Sequence, residues 1–204
     1  GSTILGDHDL WRLPQADDRG VVHPGSPTYL ATHPPVFAAN APGRPISPNL
    51  AGRVAADFAL CAQVFARQDP GYAQRCLLAA QSIFDQSDTH PRGRLFTTVP
   101  HTYYAESVWR DDMQFGATEL YLATAQIGSS TPGLVHPDPN FYLEPAGRWA
   151  NAYITARASG QDSFNLYDVS SLADADLVRA LNTPGAQQYI LHGPASVNVP
   201  TDAQ

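Results

Sequence analysis

With 204 residues, 43% hydrophobic and 15% charged, the chain has the composition of a folded domain, not of a disordered segment. Its formal charge of -7, with all 12 basic residues arginine and no basic cluster, excludes nucleic acid and anionic membrane surfaces as natural partners. No run of about 18 apolar residues is present to span a bilayer, and no charged-then-apolar leader is read at the N-terminus.

Eight prolines (Pro14, Pro24, Pro27, Pro34, Pro35, Pro42, Pro45 and Pro48) punctuate residues 1–48. They predict a long loop region without regular helix, since proline breaks a helix interior and disfavours helix in the residue before it. Within it, Asp7-His8-Asp9-Leu10-Trp11 has two readings. It is a sugar-contacting loop, with the indole stacked on a sugar ring and His and Asp bonding hydroxyls, or the Trp is a buried anchor for the loop.

Ser47-Pro48 predicts a helix start, with serine as cap and proline in the first turn. Leu50, Val54, Phe58, Cys61 and Phe65 follow at helical spacing as its buried face. Asp69-Pro70 starts a second helix, with Tyr72, Cys76, Leu77, Ala80, Ile83 and Phe84 inward. The short connection predicts antiparallel neighbours. Cys61 and Cys76 sit symmetrically about that turn, either as two small buried hydrophobes or as a disulfide, which needs Cα atoms within about 7 Å.

Residues 87–109 read as loop, with a short strand-like piece at 95–99. A third helix starts near Asp111 and runs past Met113, Gly116, Leu120 and Thr124. Residues 128–145 read as loop, 146–158 as a fourth helix around Trp149, Tyr153 and Ile154, and 171–181 as a fifth around Leu172, Leu177 and Ala180. Residues 183–204 read as an irregular tail. The class is all-α, helix hairpins joined by long Pro-rich loops.

The seven histidines show no ligand spacing that would bind zinc. Asp111-Asp112 at a helix start has two readings. The carboxylates complement the helix dipole, or they supply hard oxygen ligands for calcium. Asp168, at a loop-to-helix junction, is a further cap or ligand.

Four stretches together carry a resemblance. Gly6-Asp7-His8-Asp9-Leu10-Trp11, Leu50-Ala51-Gly52-Arg53-Val54-Ala55-Ala56, Asp69-Pro70-Gly71-Tyr72-Ala73, and the run from Asp111-Asp112-Met113-Gln114-Phe115-Gly116 to Leu120-Tyr121-Leu122-Ala123-Thr124 resemble, in order and spacing, the family 9 glycoside hydrolases. The resemblance covers about residues 5–181. It implies part of an (α/α)6 toroid and, for the parent protein, hydrolysis of a β-linked glucan or related oligosaccharide with inversion, outside the cell. It implies sugar contacts at His8, Trp11 and Tyr104, or Tyr103 if the loop is one residue shorter. It implies calcium bound by Asp111, Asp112 and Asp168, with backbone carbonyls at Ser107 and Val108. Asp112 stands where the family has Glu, and Trp109 and Arg110 stand where it has Tyr and a small or polar residue.

Inversion needs one carboxylic acid at the leaving oxygen and one carboxylate activating water on the opposite face. The family places its base in an Asp-Ala-Gly-Asp motif upstream and its acid far downstream, and neither motif occurs here. Residues 1–204 are therefore expected to be a central fragment of a catalytic domain, with 1–48 as substrate-loop region, 49–182 as helical hairpins and 183–204 as tail. The remainder of that domain is the expected partner, and the isolated chain is expected to be inactive. The alternatives are a non-catalytic carbohydrate-binding helical module and a different (α/α) toroid glycosidase.

Overall fold

The computed structural model describes residues 41–97, 106–157 and 168–192, with single positions at Leu13, Gln15, Arg19, His23, Pro24, Gly25 and Tyr29. The chain divides into two compact units, Gly1–Ala41 and Pro42–Gln204. In the first, Gln15 and Tyr29 have helical backbone, contrary to the expected absence of helix there.

The second unit contains six α-helices among the described residues: α1 (Pro48–Phe65), α2 (Pro70–Asp85), α3 (Arg110–Ile127), α4 (Asn140–Arg157), α5 (Ser170–Leu181) and α6 (Pro184–His192). No strand occurs among them, and residues 95–97 are irregular instead of strand-like. The one isolated bridge joins Ile46 to Ser87, with the Ile46 N–H donating to the Gln86 carbonyl and the Asp88 N–H to the Ile46 carbonyl, each at 2.8 Å. The all-α class expected from the sequence is the class observed.

Helix α3 is the centre, packed by α1, α4 and α5. Its residues from Asp111 to Tyr121 are all buried, polar and apolar alike. A helix buried on every side has no face for its polar residues to reach water, so each must find a protein partner or remain unsatisfied.

The buried face of α1 is not the one its large residues suggested. Ala51, Gly52, Ala55, Ala56, Ala59 and Ala62 are buried, whereas Leu50, Val54, Phe58, Cys61 and Phe65 are only half-buried. Small residues let the backbones of α1 and α3 approach closely, and the larger ones pack along the flanks. A Cβ placed on Gly116 would stand 2.7 Å from the Gly52 carbonyl oxygen, and one on Gly52 would run into the Asp112 carbonyl. Only glycine fits at this crossing.

Two boundaries differ from expectation. Helix α4 begins at Asn140, earlier than the expected 146, and carries Pro145 within it. Asp138 supports this earlier start by accepting from the Asn140 N–H at 3.0 Å. Helix α6 lies in the expected irregular tail. Thr183 caps it, its Oγ1 accepting from the Ala186 N–H at 3.3 Å, and Pro184 occupies the first turn.

Candidate functional site

Where α1 runs over the first turn of α3, three carboxylates gather around one guanidinium and a fourth stands beside them. Asp111 and Asp112 stand in that first turn, Glu106 in the irregular segment before it, and Asp168 just ahead of α5. Arg53 on α1 donates from Nε to Asp112 Oδ1 at 2.5 Å and from Nη2 to Glu106 Oε1 at 2.6 Å. Asn49, one turn earlier, donates to Glu106 Oε2 and to the Phe96 carbonyl, both at 2.9 Å. Ser47, expected to cap α1, makes no cap bond. Its hydroxyl donates to Asn49 Oδ1 at 2.7 Å and accepts from the Phe96 N–H at 3.0 Å. It positions Asn49 and the neighbouring loop instead.

The far side is tied to α5. Asp111 Oδ2 accepts from the Val169 N–H at 3.2 Å. Asp168 accepts from the Ser170 N–H at 2.9 Å and from the Tyr153 hydroxyl at 2.5 Å. Burial and this bond to Asp168 push the Tyr153 phenol up to about 12.

Burial and mutual repulsion act together on the carboxyls. Asp111 is 1% exposed and Asp112 0%. Burial raises Asp112 well above the usual carboxylate range, and the charges of Asp111 and Glu106 add to it while Arg53 opposes. Asp111 is raised by burial and then by Asp168. Glu106 is raised by burial, eased by Asn49 and Arg53, and raised again by Asp111 and Asp168. Among the described residues one guanidinium faces several carboxylates, and a buried charge without compensation is costly. Asp111 Oδ1 and Asp112 Oδ2 are buried without a hydrogen-bond partner. The partly positive N-terminus of α3 offsets a portion of this charge.

Among the described residues no three His, Cys, Asp or Glu side chains stand in an arrangement that could hold a metal ion. The two unpartnered carboxylate oxygens are nonetheless hard donors in a place with excess negative charge, which is the chemistry a calcium ion accepts.

A second polar group lies further along α3. Glu119, 0% exposed, accepts from Gln63 Nε2 at 2.6 Å and Arg179 Nη2 at 3.2 Å. Burial pushes its carboxyl up to about 7. Gln114 donates to Asp174 Oδ1 at 2.6 Å, and the Tyr121 hydroxyl bonds Thr183 Oγ1 at 2.6 Å. These bonds fasten α3 to α1, α5 and the turn before α6.

Of the residues singled out from sequence, Asp111, Asp112 and Asp168 are brought together, and Ser107 and Val108 lie on the segment leading from Glu106 into α3. His8, Trp11, Tyr103 and Tyr104 lie outside the described residues. No site role was expected for Arg53, Asn49 or Glu106. Their signal was compositional: Arg53 is the one charged residue in 48–56, and Glu106 is one of three glutamates in the chain. Trp109 and Arg110, which depart from the family pattern, form their own contact. The Arg110 guanidinium lies 5.0 Å from the Trp109 ring centre, and that ring meets Trp149 edge-on at 6.3 Å.

Comparison with known proteins agrees with this architecture. The family model described as glycosyl hydrolase family 9 matches residues 2–187. A rice (Oryza sativa subsp. japonica) protein named Endoglucanase 19 is 34% identical over 122 residues, 58% of this chain and 20% of that protein. Another, Endoglucanase 3 from the same organism, is 27% identical over 179 residues, 81% of this chain and 31% of that protein. The chain therefore spans between a fifth and a third of the length of these curated relatives. No solved structure matches it.

Proposed function

The chain belongs to glycosyl hydrolase family 9, and from that premise we propose that it supplies helical hairpins of an (α/α)6 toroid that hydrolyses a β-linked glucan or related oligosaccharide. Two relatives named as endoglucanases support the substrate class. The chemistry proposed is inverting, with acid and base carboxylates set far enough apart to admit a water molecule. Those two carboxylates are assigned to parts of the protein beyond these 204 residues.

The observation that supports this division is the burial of the acidic group. Asp111 and Asp112 are sealed inside the helices, and Asp112 and Glu106 are held by Arg53. A carboxyl closed off in this way reaches neither a glycosidic oxygen nor an attacking water, whatever its pKa. The group is architectural. It fixes the start of α3 against α1 and α5.

Calcium is proposed at this place, held by Asp111, Asp112 and Asp168 with backbone carbonyls at Ser107 and Val108. When bound, it supplies the positive charge that Arg53 alone does not. The unpartnered Asp111 Oδ1 and Asp112 Oδ2 support the assignment. Sugar contact is assigned to His8, Trp11, Tyr103 and Tyr104 in the two loop regions. No helix among the described residues is long and apolar enough to cross a membrane. An extracellular or secreted location is proposed for the parent protein, in keeping with a polysaccharide substrate.

The test is proton NMR of the intact parent protein turning over cellotetraose. Inversion of a β-linkage gives the α-anomer as first product. A β-anomer as first product, or no turnover of any β-glucan, would overturn the proposal.

A further inference from the structure

Cys61 on α1 and Cys76 on α2 lie on the facing sides of the antiparallel hairpin, with their sulfur atoms 2.6 Å apart. Both are free thiols in this structure. Their meeting is dictated by packing. Ala59 and Ala62 on α1 and Ala73, Leu77 and Ala80 on α2 are all fully buried, which fixes the two helices in register around the cysteines. Tyr72 stands beside both sulfurs, its backbone N–H bonded to Asp69 Oδ1 at 2.9 Å and its ring edge-on to Phe65 at 5.1 Å. Cys76 is buried and Cys61 is part-exposed, so a reagent meets Cys61 first.

We propose that Cys61 and Cys76 form a redox-responsive dithiol that closes into an intrachain disulfide, fastening α1 to α2 near their turn. The oxidant is a low-molecular-weight disulfide of the glutathione class. Cys61, as thiolate, attacks one sulfur of that disulfide, forming a mixed disulfide and releasing one small thiol. Cys76 then loses its proton to solvent and attacks the Cys61 sulfur, releasing the second small thiol. Two protein S–H bonds are replaced by one S–S bond, and the small disulfide is reduced to two thiols. In the dithiol, burial together with the neighbouring Cys61 raises the Cys76 thiol to about 11; burial still opposes its thiolate in the mixed disulfide, so closure accelerates with pH.

The disulfide closes a short loop, and a closed loop of about 15 residues restricts the unfolded chain more than the folded one. Through α1, the same hairpin carries Gly52 and Arg53 to the first turn of α3.

The test treats the full chain with oxidised glutathione, then quenches with iodoacetamide under denaturing conditions and maps peptides by mass spectrometry. The expected result is a peptide pair joined through Cys61 and Cys76, with the mass of two hydrogens lost. No alkylation is expected at either cysteine, and Tm should be about 6–12 °C higher than after dithiothreitol. In Cys76→Ser, and in Cys76→Ala should the first fold poorly, glutathione is expected to remain on Cys61. Alkylation of both cysteines, glutathione persisting on Cys61 of the unmutated chain, a cross-link between two chains, or an unchanged Tm would each overturn the proposal.

Discussion

Arg53 bonds Asp112 directly, its Nε donating to the Asp112 carboxylate at 2.5 Å, while the preceding residue, Gly52, rests on the Asp112 carbonyl. Two adjacent residues of α1 thus hold one residue of α3 by charge and by backbone packing. The second arm of Arg53 reaches Glu106 at 2.6 Å and draws in the segment ahead of α3. Two stretches of chain distant in sequence, the start of α1 and the segment from Glu106 to Asp112, thus converge on one side chain.

Replacing Arg53 should therefore cost more than its partial exposure suggests. Arg53→Met leaves Asp112 buried beside Asp111 with its main counter-charge gone. A loss of about 3 kcal/mol is expected, near the low end for a broken buried pair. Arg53→Lys should recover only part of it, because one ammonium does not reproduce the two-armed guanidinium geometry. Urea unfolding followed by far-UV circular dichroism measures both. An Arg53→Met protein as stable as the unmutated chain would show that the pair does not hold the crossing.

The crossing itself should reject a single methyl. Gly52→Ala drives a Cβ into the Asp112 carbonyl and Gly116→Ala one into the Gly52 carbonyl, backbone atoms that cannot rotate away. Each is expected to destabilise by about 1–3 kcal/mol or more, the usual range for overpacking. Gly147→Ala, where a Cβ meets nothing within 4 Å, should be neutral or slightly stabilising within its helix. Thermal melts of the three variants separate a steric effect from a general intolerance of alanine.

Glu119 should give the fold a pH dependence of defined sign. Its folded pKa is about 7 against a reference of 4.5, so between these values the folded state holds a proton that the unfolded state has lost. Stability contributed by this group is full below about pH 4.5, falls as pH rises through that window, and is gone above about pH 7. Glu119→Gln, which is always neutral, should flatten that slope. Melting temperatures across pH 4.5 to 7 for both proteins provide the comparison. An equal slope in the two would rule out Glu119 as its source.

Calcium, if it occupies the acidic group as proposed, should act on stability with no substrate present. Tm is expected to rise on adding calcium and to fall with a chelator. Both effects should vanish in Asp111→Asn and in Asp168→Asn. A calcium response that survives in both variants would move the ion elsewhere. No response in the unmutated chain would remove it.

Helix starts were legible because Ser47-Pro48 and Asp69-Pro70 announce them chemically, and the same signal at Thr183-Pro184 begins α6 inside a stretch expected to be irregular. The buried face of α1 was less legible. Large apolar residues draw attention, yet close packing against α3 selects the alanines and Gly52. At the site, the Asp111-Asp112 pair was visible as adjacent acids and Asp168 as an acid at a loop-to-helix junction, and the family resemblance grouped the three. Arg53 and Glu106 were not visible, since an ion pair between residues 53 apart in sequence leaves no local pattern. Only the folded crossing of α1 over α3 brings them together.

The most direct test of the central claim uses the 204-residue chain by itself, confirmed as helical by circular dichroism. It is incubated with cellotetraose and soluble cellulose, and new reducing ends are counted against a no-protein blank. The expected result is no release above the blank, while the intact parent protein cleaves the same substrates. Steady cleavage by the folded chain alone, lost on substitution of one of its own carboxylates, would contradict the claim that the catalytic pair lies outside it.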